Sequence, residues 1–119
     1  MIVPSTEELS ELFSSQPVSV AEISLSQTMP LERWPEGEIK LDSEVAGRRV
    51  TVYVNPTDNR VSIDVFAPDL IASLNLSDVV EVSAVVKPHG ARTMVMTHTG
   101  DIVRLRLRPE ISVHYGAPR

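Results

Sequence analysis

The sequence predicts a mainly β fold: an antiparallel barrel or sandwich of about seven to eight strands, with an N-terminal helix and one short helical connection. Three observations carry this. Apolar and polar residues alternate with period two in run after run from Val18 onward, the signature of half-buried strands. All nine prolines fall between such runs or at their ends, where a missing N–H is tolerated. Finally, 119 residues without a long linker, repeat or low-complexity stretch form a single β-rich domain, residues 1–119.

The helix comes first. Ser5 and Glu8 make the S-x-x-E capping box, in which each side chain satisfies a backbone N–H exposed at the helix start. Leu9, Leu12 and Phe13 form an i, i+3, i+4 apolar stripe, and Pro17 ends the segment. A helix this short is not stable alone, so its stripe is expected to dock on the domain's own sheet.

Val18–Ser26 then alternates as a strand. Arg49–Val54 and Val61–Val65 form a hairpin across Asn55–Arg60. Pairing Val54 with Val61, Val52 with Ile63 and Val50 with Val65 puts all six apolar residues on one face, and Thr51, Tyr53, Ser62 and Asp64 on the other. Pro68–Leu74 reads as the short helical connection, with proline in its first turn. Val80, Val82, Ala84 and Val86 alternate with Glu81, Ser83, Val85 and Lys87, ahead of the turn Pro88-His89-Gly90. Arg92–Thr97 follows, and the turn His98–Asp101 leads into Ile102–Arg108. Facing Met96 with Val103 and Met94 with Leu105 merges the apolar sides, and Ile111–Tyr115 closes the series. From about Gly37 to Thr97 the order strand–strand–strand–short helix–strand–strand also suits an OB-type barrel.

Composition narrows the function classes. The chain has no cysteine, which excludes disulfides, thiolate nucleophiles and cysteine-ligated metal centres. No signal peptide and no apolar run of membrane-spanning length are legible, so a cytoplasmic protein without membrane contact is expected. There is no nucleophile elbow, no phosphate-binding glycine loop and no dinucleotide fingerprint. No cofactor or metal is implied. His89 and His98 bracket one strand, roughly 20–30 Å apart at strand rise, too far to share a metal. His98 can reach Asp101 across its turn, but that pair lacks a nucleophile.

The charged residues are unevenly placed. Residues 1–44 carry nine acidic side chains against Arg33 and Lys40, a net −7, whereas residues 87–119 carry six basic against Asp101 and Glu110, a net +4. Within the basic third, Val103, Leu105 and Leu107 take one face of their strand and Arg104, Arg106 and Arg108 the other. The candidate partner- or anion-binding residues are therefore Arg104, Arg106 and Arg108, with Lys87 and Arg92. Trp34, the single tryptophan, is the interface candidate, with a plug for one end of the core as the competing role.

Three readings follow. The preferred one is a non-enzymatic β-domain acting through protein–protein contacts and self-association, with Arg104 and Arg106 paired internally to carboxylates such as Glu81 or those of residues 7–44. The second is a small OB-like barrel binding a polyanion such as nucleic acid through the arginine face. Against it stand a net charge of −5 and the absence of aromatic residues from the arginine strand. The third is a small-ligand binder or enzyme using a barrel interior, with Asp64, Tyr53 or His98 as its polar groups.

Overall fold

The computed structural model describes residues 1–20, 34–35 and 37–116. After helix α1 (Thr6–Phe13) come nine antiparallel strands: β1 (Val18–Ser19), β2 (Ile39–Val45), β3 (Arg48–Asn55), β4 (Arg60–Phe66), β5 (Leu70–Leu76), β6 (Val79–Val86), β7 (Arg92–His98), β8 (Asp101–Arg108) and β9 (Ser112–Gly116). Strands β1 to β5 form one sheet in sequence order, and β6 to β9 form a second. The architecture is a two-sheet sandwich, and neither sheet closes into a barrel among the described residues. The two sheets are consecutive meanders, a topology unlike that of an OB-type barrel.

Alternation dictates the layers. Ile39, Leu41 and Val45 of β2, Val50, Val52 and Val54 of β3, and Val61, Ile63 and Val65 of β4 face inward from the first sheet. Met94 and Met96 of β7 and Val103, Leu105 and Leu107 of β8 face them from the second. The predicted registers are those observed: Val54 opposite Val61, Val52 opposite Ile63, Met96 opposite Val103, Met94 opposite Leu105. A one-residue slip would have turned every one of these side chains to solvent. Two hairpins, β2–β3 and β7–β8, use two-residue turns, Ala46-Gly47 and Thr99-Gly100. Their positive φ angles (51° and 81°, 44° and 84°) match the twist of the paired strands, and glycine adopts them without a Cβ penalty.

Helix α1 joins both sheets. Ser5 Oγ accepts a hydrogen bond from the Glu8 N–H, and a Glu8 carboxylate oxygen accepts one from the Ser5 N–H, completing the capping box. Leu9, Leu12 and Phe13 are at most 1% exposed and belong to the same apolar cluster as both sheets. The stripe thus docks where the sequence predicts, on the domain's own strands.

Two expectations are corrected, and a third is described only in part. Pro68–Leu74 is no helix: Leu70–Leu76 is strand β5, placing Ala72, Leu74 and Leu76 beside Val65, Ile63 and Val61. Pairing with β4 outweighs a helix signal that consisted only of a favourable start. In β6 a bulge between Val79 and Glu81 breaks the regular alternation, so Val79 is buried and Val80 is exposed. Strand β1 is described only over Val18–Ser19, and the remainder of the predicted Val18–Ser26 strand from residue 21 lies outside the described residues.

Candidate interaction face

The outer face of the second sheet gathers most of what the sequence singled out. Register sets Ser83, Val95, Arg104 and His114 in one row across β6, β7, β8 and β9, and Val85, Thr93, Arg106 and Ser112 in the next. A third row holds Glu81, Thr97 and Ile102. Arg104 and Arg106 are exposed, while Val85, Val95 and Ile102 are partly buried between them and the polar residues. The face therefore carries an apolar diagonal, Val85–Val95–Ile102, with both guanidinium groups on one side of it, on β8.

No carboxylate among the described residues lies within ion-pair distance of Arg104 or Arg106; the one ion pair there is Lys40–Asp42, at 3.6 Å. The internal charge pairing expected from the acidic first third is not seen among those residues. Glu81 shares the face with the arginines, one row from Arg104, without bonding it.

The five basic candidates do not form one cluster. Lys87 and Arg106 meet His89 around a surface pocket of about 520 Å³, completed by Gly90, Ala91, Thr93 and Pro109. Arg92 and Arg108 lie elsewhere. The register shifts between Arg92 and Thr93, pairing Arg108 with Arg92. The Arg92 guanidinium donates to Ser14 Oγ, at the C-terminal end of α1. There a cation also complements the helix dipole. Arg108 lines a separate cleft with Phe13, Ser14, Asp42, Glu44 and Arg49. Alternation alone put Arg108 beside Arg106, and the bulge is a signal that only the paired strand reveals.

Trp34 is partly buried against the core, and its indole N–H donates to the Pro4 carbonyl oxygen at 2.8 Å. It ties the segment before the helix to the chain before β2 and lines a shallow surface pocket with Val3–Glu7 and Pro35.

The polar groups of the enzyme reading are dispersed. Asp64 accepts a hydrogen bond from Ser73 Oγ at 2.7 Å, and Thr51, buried in the sheet between Asp42 and Asp64, donates to Asp42 Oδ1 at 2.6 Å. Tyr53 lies on the same outer face of the first sheet, between Lys40 and Ser62.

His98 and Asp101 do meet, through a residue that the sequence analysis did not connect to them. His98 Nδ1 is 2.9 Å from the Ser77 carbonyl oxygen, its Nε2 is 2.9 Å from the Tyr115 hydroxyl, and that hydroxyl donates to Asp101 Oδ2 at 3.0 Å. A carbonyl can only accept, so Nδ1 carries a proton. The Tyr115 hydroxyl is raised above its ordinary pKa, chiefly by its hydrogen bond to Asp101, with smaller contributions from desolvation and from the carboxylate charge. These contacts tie the β5–β6 turn, β7, β8 and β9 together at one end of the sheet. Only the cross-strand pairing that carries Tyr115 back past β8 makes it visible.

Among the described residues, no group of three or more His, Asp or Glu is placed to hold a metal ion. No helix there is long and apolar enough to cross a membrane. No protein-family model and no curated protein matches the chain. Among solved structures, a chain of a contact-dependent growth inhibition toxin–immunity protein complex from Klebsiella pneumoniae 342 has a similar fold. The TM-score is 0.71 and the identity 16%, over 98% of this chain and 96% of that one. At that identity the likeness is one of fold, extending over both sheets and the helix.

Proposed function

We propose that this chain is a protein-binding domain that works by occupying a protein partner, in the way the immunity member of a toxin–immunity pair does. The observation that carries this is the whole-length fold likeness to a chain of a two-protein complex. The surface supports it. An apolar line (Val85, Val95, Ile102) edged by exposed arginines has the composition of an interface, where arginine is enriched and partly buried aliphatic side chains give up their remaining water. Net charge favours the immunity side over the toxin side, with steering and contact divided: the acidic first third of a chain at −5 draws in a cationic partner, while Arg104 and Arg106 meet acidic groups at the contact itself. A nucleic-acid track is less well supported. Only Arg104, Arg106 and Lys87 of the five basic candidates share one side of the sheet, where a strand of phosphates needs a continuous basic groove.

The test joins growth to binding. Expressed alone, the chain is expected to leave host growth unchanged, and growth arrest would overturn the protective reading. Affinity-tagged chain should co-purify one partner protein from its native cells. Arg104→Glu with Arg106→Glu should weaken that complex at least tenfold while the fold stays intact. A partner retained equally by both forms would remove the arginine face from the interface.

A further inference from the structure

The four sheet edges are treated very differently. Among the described residues the β1 edge spans two residues, Val18–Ser19. The β6 edge is covered by the chain start, where the Ile2 N–H donates to the Val80 carbonyl and the Val82 N–H to the Ile2 carbonyl, at 2.9 and 2.8 Å. The β9 edge is short, five residues ending at Gly116. Strand β5 has none of these protections. Its seven residues, Leu70-Ile71-Ala72-Ser73-Leu74-Asn75-Leu76, contain no charge and no proline, and among the described residues no strand pairs with its outer edge. Leu70 and Ile71 are 55% and 56% exposed. An open, uncharged, apolar edge strand is a template for another strand, and folded proteins usually blunt such edges with lysine, proline or a cover.

We infer that β5 is the contact by which two copies of this chain associate, pairing antiparallel with itself about a two-fold axis at Ser73. Strand parity selects this register. Ala72, Leu74 and Leu76 lie on the core side of the sheet, opposite Val65, Ile63 and Val61, so only a pairing that keeps even positions opposite even positions preserves the two faces. A two-fold axis at Ser73 does so over Ile71–Asn75; the bulge that sets Leu70 opposite Phe66 turns Leu70 to the outer face and ends the pairing there. Ile71 meets Asn75 of the second copy, Ala72 meets Leu74, and Ser73 meets itself. The acidic residues Asp69 and Asp78 lie outside this segment. No like charges are opposed, and the contact is isologous, closing at two copies without leaving a free β5 edge. It lies in the first sheet, so the arginine face of the second remains available to a partner.

Light scattering across a range of concentrations tests this on the purified chain alone, independently of any partner. A dimer is expected at high concentration, and Leu70→Lys with Ile71→Lys, both at exposed positions, should weaken it at least tenfold. The register is tested by cysteine, which the chain lacks. Under mild oxidation Ser73→Cys should cross-link rapidly, because its counterpart Cβ is about 5 Å away. Asn75→Cys should not, because its counterpart lies about 14 Å along the strand. A wild-type chain that stays monomeric at every concentration would overturn the inference. So would a dimer indifferent to the two lysines, or cross-linking as fast from position 75 as from 73.

Discussion

The two faces of β8 should separate stability from binding, and Leu105 and Arg104 are the sharpest pair on which to measure it. Leu105 is fully buried, with Met94 opposite it on β7 and Val113 on β9. Leu105→Ala removes its outer methyl groups from the middle of the sandwich. Buried leucine-to-alanine changes cost about 2–5 kcal/mol, the spread reflecting how far neighbours collapse into the space. Met94 is flexible and can lean in, whereas Val103 and Leu107 on the same strand face are themselves fully buried and β-sheet geometry holds them apart. That places the expected cost near the middle, about 3 kcal/mol, out of the roughly 5–15 kcal/mol that holds a domain of this kind together. At about 4 °C per kcal/mol the melting temperature should fall by about 12 °C. Arg104, one position away, is exposed and has no ion-pair partner among the described residues, so Arg104→Ala should stay within about 0.5 kcal/mol. Urea unfolding followed by circular dichroism measures both. Equal costs for the two substitutions, or a Leu105→Ala cost below about 1 kcal/mol, would refute the assignment of inner and outer faces.

Two further outcomes follow from the local geometry. Asp101→Asn should lower the Tyr115 pKa toward its ordinary value by removing the carboxylate that accepts its hydroxyl proton. Phenolate absorbance in a Tyr53→Phe background, where Tyr115 is the remaining tyrosine, reads this directly, and an unchanged titration would contradict the bond. Because the folded-state pKa is raised, whatever stability the bond contributes is present below the unfolded tyrosine pKa and is lost as pH rises through the folded value. Ser5→Ala should cost about 1 kcal/mol by opening the capping box of α1, and Ser5→Asp should restore most of it. A thermal melt in which Ser5→Ala matches wild type would show that the docked stripe of Leu9, Leu12 and Phe13 holds the helix without its cap.

What was legible in the sequence is what depends on local periodicity. The hairpin registers of β3–β4 and β7–β8 were readable because both partners of each pair carry the alternation, and only one register satisfies both at once. The capping box and the apolar stripe placed α1 for the same reason, since each is complete within nine residues of chain, Ser5 to Phe13. Strand β5 was not legible. Leu70-Ile71-Ala72-Ser73-Leu74 does not alternate, because the bulge opposite Val65 and Phe66 and the exposure of the edge remove the pressure for it to do so.

The same kind of irregularity decides the candidate site. Counting residues along β8 makes Arg104, Arg106 and Arg108 one ladder, and that count is right for any strand whose neighbour keeps step. At Arg92 the neighbour does not keep step, and the last rung turns to the far side, where Arg92 and Arg108 serve the end of α1 and the cleft beside it. The ladder thus divides into a pair that faces outward among aliphatic side chains and a pair bound up with the helix and the sandwich interior. Regular alternation explains why the outward pair exists at all. Its lack of carboxylate partners among the described residues, with Val85, Val95 and Ile102 running diagonally across the same rows, is what makes that face, rather than the full run of arginines, the surface on which a partner should be sought.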